Sequence, residues 1–213
     1  MVKSAVKAMD ATQEFATENL NKKINRFTVT GASKRGWTTW LTGATDKRVE
    51  SIAPMVIDML NMPVSIDYHI TAWGAYSPQI NDYVELEIPQ TVGTEDGVAL
   101  TQMVDPYSYK SDLSMPKLLF MGTNDPYWPV DAVKNYINDI PGENYIHYVP
   151  NAGHSLGGGE QAVRALSAFW GKSLKKSPYA SLSYELVSDK KSATISVKTT
   201  SEEFQNAYIW SAD

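Results

Sequence analysis

Apolar residues over the first twenty positions recur at helical spacing. Val2, Ala5, Val6, Met9, Ala16 and Leu20 share one stripe, with Lys3, Lys7, Glu14 and Glu18 off it. That period predicts an amphipathic helix over residues 1–19. Beyond it the apolar runs become short. Residues 26–30 form a β-rich stretch ending at Gly31, and residues 49–57 an apolar run ending in Asp58. Residues 117–121 lead into Gly122-Thr123-Asn124-Asp125-Pro126, and residues 145–149 lead to Asn151-Ala152-Gly153-His154. Helical patterns follow or separate these runs at 34–41, 130–140 and 160–174, the second stopped by Pro141-Gly142. Short apolar strands alternating with helices predict an α/β domain, a parallel sheet covered by helices.

Two regions break the alternation. Residues 60–115 are rich in turn residues and aromatics, among them Trp73, Tyr76, Tyr83, Tyr107 and Tyr109, and are expected to form an insertion over the main sheet. After Pro178 the texture turns to short alternating stretches, at 181–187, 192–199 and 207–210, with no helix between them. These predict a hairpin and a third strand, a β-rich appendage over 178–213 beside a main domain over 1–177. Three strands with so little core are marginal alone, so the appendage is expected to pack on the main domain or to belong to a larger sandwich.

Composition narrows the function. The 19 basic and 24 acidic residues leave a formal charge of −5 and a pI near 5.2, which argues against a nucleic-acid partner. No run of about eighteen apolar residues is present to span a membrane as a helix. Cysteine is absent, which removes disulfides, thiol nucleophiles and Cys-based zinc sites. No spacing of His, Asp and Glu suggests a metal site, and Gly157-Gly158-Gly159 lacks the Lys and Ser/Thr of a phosphate loop, so no cofactor is expected.

Three residues carry chemistry: Ser33, Asp125 and His154, each just past the carboxyl end of a predicted strand, where open α/β sheets bind ligands. Gly31-Ala32-Ser33 fits a strand-to-helix turn tight enough to expose the serine hydroxyl, and the N–H groups of the helix that follows favour a developing oxyanion. The order Ser…Asp…His is that of the α/β-hydrolases. Ser33 also fits an N-cap, Asp125 a turn residue and His154 a surface loop residue. It is their coincidence after three matched strands that points to a catalytic triad. Asp58, which also ends a strand, is the alternate acid. His147 lies inside a strand and His69 inside the insertion, where it is placed to touch substrate rather than act as base. Trp73, Tyr76 and Trp128 are candidate substrate-wall residues, with core packing as their other reading.

The segment from Gly31 to Leu41, Gly-Ala-Ser-Lys-Arg-Gly-Trp-Thr-Thr-Trp-Leu, closely resembles the nucleophile segment of the PhoPQ-activated pathogenicity-related protein family. Gly122-Thr123-Asn124-Asp125-Pro126-Tyr127-Trp128-Pro129 and Pro150-Asn151-Ala152-Gly153-His154-Ser155-Leu156 resemble its later segments, so the likeness covers essentially the whole chain. That family is similar to α/β-hydrolases of the prolyl-peptidase and esterase type. The resemblance implies that fold, a serine hydrolase acting on a small-molecule, glycan or peptide substrate, and export from the cell. Two departures stand out. The glycine after the serine comes one place late, at Gly36, an arrangement similar to that of glucuronoyl esterases. By that likeness Lys34 assists the oxyanion, through its N–H and its charge, unless it is simply a solvated surface lysine.

The second departure is that only one helix and one strand precede Ser33, whereas this fold places several strands before the nucleophile. The expectation is therefore a partial α/β-hydrolase fold with N-terminal strands missing, the C-terminal portion of a longer protein. The second oxyanion donor normally comes from an earlier loop. Losing one donor costs ~10²–10³ in rate, so the piece alone is expected to be slow or inactive, and a bared sheet edge invites self-association. Two further readings stay open. One is a glucuronoyl-type carbohydrate esterase, favoured by a basic pocket at Lys34 and Arg35. The other is a secreted binding or signalling protein on a hydrolase scaffold, because a fold does not fix a function.

Overall fold

The computed structural model describes residues 1–179, 181–199 and 206–210. The chain divides into two compact units, Met1–Trp170 and Gly171–Asp213, so the expected boundary at 177/178 lies within the second unit.

The first unit is built on four parallel strands in the order β1 (Phe27–Ala32), β2 (Val49–Met55), β3 (Lys117–Gly122), β4 (Asn144–Val149). Spatial order follows chain order, and every carboxyl end lies at one edge of the sheet. β3 is buried at all six positions, as a continuous apolar run in a parallel sheet requires. Its one charged residue, Lys117, donates from Nζ to the carbonyls of Leu113, Met115 and Pro141 at 2.6, 2.6 and 2.7 Å.

Helix α1 (Val2–Leu20) buries Met9 and Ala16, and its Asp10 accepts from Arg48 at 2.9 Å, which ties it to the turn before β2. Helix α2 (Lys34–Thr45) runs directly from the end of β1. It is rich in threonine, a residue of modest helix propensity, but Thr38, Thr39, Thr42 and Thr45 each return their hydroxyl to the carbonyl four residues back. That satisfies polar groups on a helix buried along much of its length. Trp40, Ile52, Leu60, Leu113, Leu119 and Tyr136 form the centre of the core. Each such burial contributes about 1.5–3 kcal/mol.

The region between β2 and β3 is helical rather than turn-rich. It contains α3 (Met62–Trp73), α4 (Asn81–Glu85), α5 (Ile88–Thr91) and α6 (Glu95–Val104), with 3₁₀ turns at Pro78–Ile80 and Pro106–Asp112. Prolines and side-chain caps start these pieces. Thr94 accepts from Gly97 N–H, and Asp105 accepts from the N–H groups of Met62 and Tyr107. The insertion is fastened to the core by the Trp37 indole, which donates to Val104 O at 2.7 Å, and by Asn61, which donates to Asn135 O at 2.9 Å.

Two expected elements are corrected. The helix predicted over 130–140 is instead two 3₁₀ turns, Ala132–Asn135 and Ile137–Asp139, broken at Tyr136. Tyr136 has φ −148° and is drawn into the core, edge-on to Trp40 at 6.4 Å. A segment with Val, Ile, Asn and Asp is too weak a helix former to oppose that burial. The strand predicted over 207–210 is absent, since residues 206–210 have no regular structure. The second unit does hold the expected hairpin, β5 (Leu182–Ser188) against β6 (Ala193–Thr199). Asp189 closes its turn by accepting from the N–H groups of Lys191 and Ser192. Helix α7 (Glu160–Lys175) precedes it.

Candidate active site

Ser33 stands between β1 and α2 with φ 54° and ψ −126°, a backbone region that an L-residue rarely occupies. Such a strained serine on a strand-to-helix turn is the nucleophile-elbow geometry. Its N–H is anchored on Met55 O at 2.9 Å. The flanking glycines explain themselves sterically. A Cβ on Gly31 would lie 2.7 Å from the Arg35 carbonyl oxygen. One on Gly36 would lie 2.6 Å from Ile57 Cγ2 and 2.9 Å from Met55 O. Thus Gly36, one place later than in a G-x-S-x-G elbow, is where α2 touches the end of β2. The first intrahelical donor is Trp37 N–H, to Ser33 O. The Lys34 N–H therefore belongs to the unpaired first turn, beside the serine. The Lys34 ammonium is exposed and lies 6.0 Å from the Tyr83 ring centre.

Asp125 and His154 come from the loops after β3 and β4, and the structure joins them. His154 Nδ1 lies 2.9 Å from Asp125 Oδ2 and 3.1 Å from Oδ1. The two loops are laced together by Asn124 N–H on Ala152 O at 2.9 Å and by Asn151 N–H on Thr123 Oγ1 at 2.8 Å. Asp125 is buried and also accepts the Tyr127 N–H at 2.9 Å. His154 Nε2 is buried and has no hydrogen-bond partner among the described residues, so the link from Ser33 to the imidazole is not closed in this conformation.

No hydrogen bond or ion pair joins Asp58 to His154 among the described residues. Asp58 is 2% exposed and shares with Asp125 a small cavity under Trp128 and Val130. Val56, two residues before it, has φ 46°, and this sharp exit ends β2 before the expected residue 57. Burial pushes the Asp58 carboxyl up to about 7, and the nearby Asp125 charge adds to the rise. The unfolded carboxyl titrates near ~3.9. The folded protein therefore holds this proton more tightly, and stability falls as pH rises from about 4 to about 7, then stays level. Asp58→Asn removes the effect. In urea unfolding, the variant's stability relative to the parent is expected to grow by about 2–4 kcal/mol between pH 4 and 7 and to be constant above. A difference independent of pH would contradict this assignment.

The aromatic candidates divide. Trp128 is half-buried beside Asp58 and Asp125, and its indole donates to Val56 O at 3.3 Å. Trp73 is 44% exposed and Tyr76 half-buried. His69 is fully buried between Trp73 and Trp128, with ring centres at 5.2 and 5.7 Å, and its Nδ1 accepts Ser77 N–H at 3.3 Å. Burial holds both His69 and His147 below the ordinary histidine range, in keeping with packed rings. One residue was not anticipated from sequence. Tyr127 lies against His154, with ring centres 4.1 Å apart and planes 30° from parallel. Nothing in an Asp-Pro-Tyr run signals such a contact. No group of three or more His, Cys, Asp or Glu side chains able to hold a metal occurs among the described residues.

Known structures share this arrangement of strands. An acylaminoacyl peptidase from Pyrococcus horikoshii superposes with a TM-score of 0.57 at 16% identity, over 81% of this chain and 28% of that one. An acetyl xylan esterase from Paenibacillus sp. R4 gives 0.51 at 18% identity, over 74% and 50%. At such identities the likeness establishes the α/β-hydrolase fold. In sequence, the autocrine proliferation repressor protein A of Dictyostelium discoideum is 36% identical over 160 residues. That match takes in 74% of this chain and 32% of the relative, so the chain spans about a third of that relative's length. A family model matches residues 1–213, and the chain belongs to the PhoPQ-activated pathogenicity-related protein family.

Proposed function

We propose that the protein is a serine hydrolase that cleaves an ester or amide through an acyl-enzyme. The observation that carries this is the pairing of a strained Ser33 at the end of β1 with a hydrogen-bonded Asp125–His154 couple on the same sheet edge. Ser33 Oγ attacks the carbonyl carbon while His154 Nε2 takes its proton, and Asp125, at Nδ1, fixes the imidazole tautomer. The carbonyl oxygen becomes an oxyanion that the Lys34 N–H receives. His154 then protonates the leaving alcohol or amine. A water, deprotonated by the same imidazole, releases the acid and restores Ser33. The exposed Trp73 and half-buried Tyr76 of the insertion, with the half-buried Trp128 from the loop after β3, offer an aromatic wall to a sugar ring or an apolar acyl group.

The test is fluorophosphonate labelling of the full-length protein, with the adduct located by peptide mass. One adduct on the peptide holding Ser33 is the expected result. No adduct on a folded protein overturns the proposal. The second reading, a binding or signalling protein on a hydrolase scaffold, is favoured by the name of the Dictyostelium relative, a proliferation repressor. It would stand in that event.

A further inference from the structure

His154 sits in the loop after β4, just before a 3₁₀ turn at Leu156–Gly158 and a run of three glycines. Gly157, Gly158 and Gly159 all have positive φ, and a Cβ added to Gly158 or Gly159 would meet nothing within 4 Å. The bond from Nδ1 to Asp125 fixes one edge of the imidazole but leaves the ring free to turn about that bond. A catalytic base needs more, because Nε2 must point along one line toward the serine hydroxyl, and about 1 Å of misplacement can cost ~10²-fold in rate. A second constraint, acting on the plane of the ring, is required. Tyr127 supplies it. Its ring lies against the imidazole with ring centres 4.1 Å apart and planes tilted by 30°, and covers one face. The Tyr127 ring is itself anchored, because its backbone N–H is bound to Asp125 Oδ1 at 2.9 Å and its ring leans on Trp128 at 6.3 Å.

We infer that Tyr127 is a positioning residue of the site, holding the acid through its backbone N–H and the plane of the base through its ring. This rests on the hydrolase reading above. One residue thus couples the two loops, so that the carboxylate and the imidazole keep a fixed relation. The electron-rich face of the phenol also favours the imidazolium that forms as Ser33 gives up its proton. The work is done by the ring and not by the hydroxyl, which makes no hydrogen bond to any described residue. This separates the role from that of a general acid or a substrate hydrogen-bond donor.

The experiment measures two quantities on the full-length protein for the parent and for Tyr127→Phe, Tyr127→Met and Tyr127→Ala. The first is the second-order rate of fluorophosphonate labelling. The second is the ¹³Cε1–H resonance of His154, read from labelled histidine and assigned with His154→Gln. A stacked ring shields that proton. The expected result is a Phe variant that keeps both the resonance and the rate within about twofold. In the Met and Ala variants the resonance moves downfield and labelling slows by about 10–100-fold. Met retains most of the volume, so it reports on the ring even if the Ala variant fails to fold. Labelling at the parental rate in a folded Met variant overturns the inference, as does a His154 resonance that does not move. If the parent itself does not label, the catalytic reading falls. The resonance alone then decides whether Tyr127 holds the imidazole.

Discussion

Asp125→Asn is expected to slow fluorophosphonate labelling of Ser33 by about 10⁴-fold near neutral pH, while Asp58→Asn changes it by less than about tenfold. The argument comes from which oxygen each neighbour needs. Tyr127 N–H requires an acceptor at the Oδ1 position, so the asparagine carbonyl stays there. The amide NH₂ then occupies the place of Oδ2, facing His154 Nδ1. A donor opposite Nδ1 forces that nitrogen to accept, and the proton moves to Nε2. There it cannot serve a base that must take a proton from serine. The negative charge that stabilises the imidazolium is lost as well. Asp58 has no such hydrogen bond to the imidazole, and its burial already favours the neutral carboxyl. Equal losses in the two variants, or the larger loss at Asp58, would sink the assignment of Asp125 as the acid. The labelling rate separates the cases, because both variants are close in volume to the parent.

What the sequence made legible follows from how local each signal is. Strand ends were readable because apolar runs of β-branched and aromatic residues stop at glycine or aspartate, and the sheet edge follows from parallel connectivity. Hence Ser33, Asp125 and His154 could be placed on one edge before any coordinate was known. Helix 130–140 was misread because Tyr136 is claimed by Trp40, a partner almost a hundred residues away in the chain, and no window over the segment contains that contact. The helices of the insertion were hidden for a related reason. α4 and α5 are only five and four residues long, α3 and α5 begin at prolines, and α6 takes its cap from Thr94.

The environment of the acids lay further from view. The apolar run before Asp58 can be read directly, but not that the strand stops at Met55. That Asp58 turns into a small cavity beside Asp125, where burial raises its carboxyl to about 7, follows the positive φ of Val56. No sequence rule places a β-branched residue there. The same holds for Tyr127, whose contact with His154 spans two loops. Motif spacing identifies which residues meet at the sheet edge. The packing between loops decides their charge and orientation, and that is a tertiary quantity.

Gly122→Ala is the substitution expected to show this most plainly. Gly122 ends β3, directly before the loop that carries Asp125, and its α-carbon faces the loop that carries His154. A Cβ there would stand 2.3 Å from Ala152 O and 2.5 Å from Gly153 O. Both are backbone atoms, so no rotamer change relieves the clash and the His154 loop itself must retreat by the better part of an ångström. Overpacking of this kind costs about 3 kcal/mol, and a shift of that size at the base costs about 10²-fold in rate. The variant is therefore expected to lose about 3 kcal/mol in urea unfolding and to label about 100-fold more slowly, with Asp125 and His154 both unaltered. Gly93→Ala is the control. Its Cβ would meet nothing within 4 Å and its φ is not positive, so it should match or slightly exceed the parent in stability and label at the same rate. A Gly122→Ala protein with parental stability and labelling would mean that the two loops are not held together by this contact. The fixed relation of acid to base would then have to come from the hydrogen bonds of Asn124 and Asn151 and from the contacts of Tyr127, without help from this close approach.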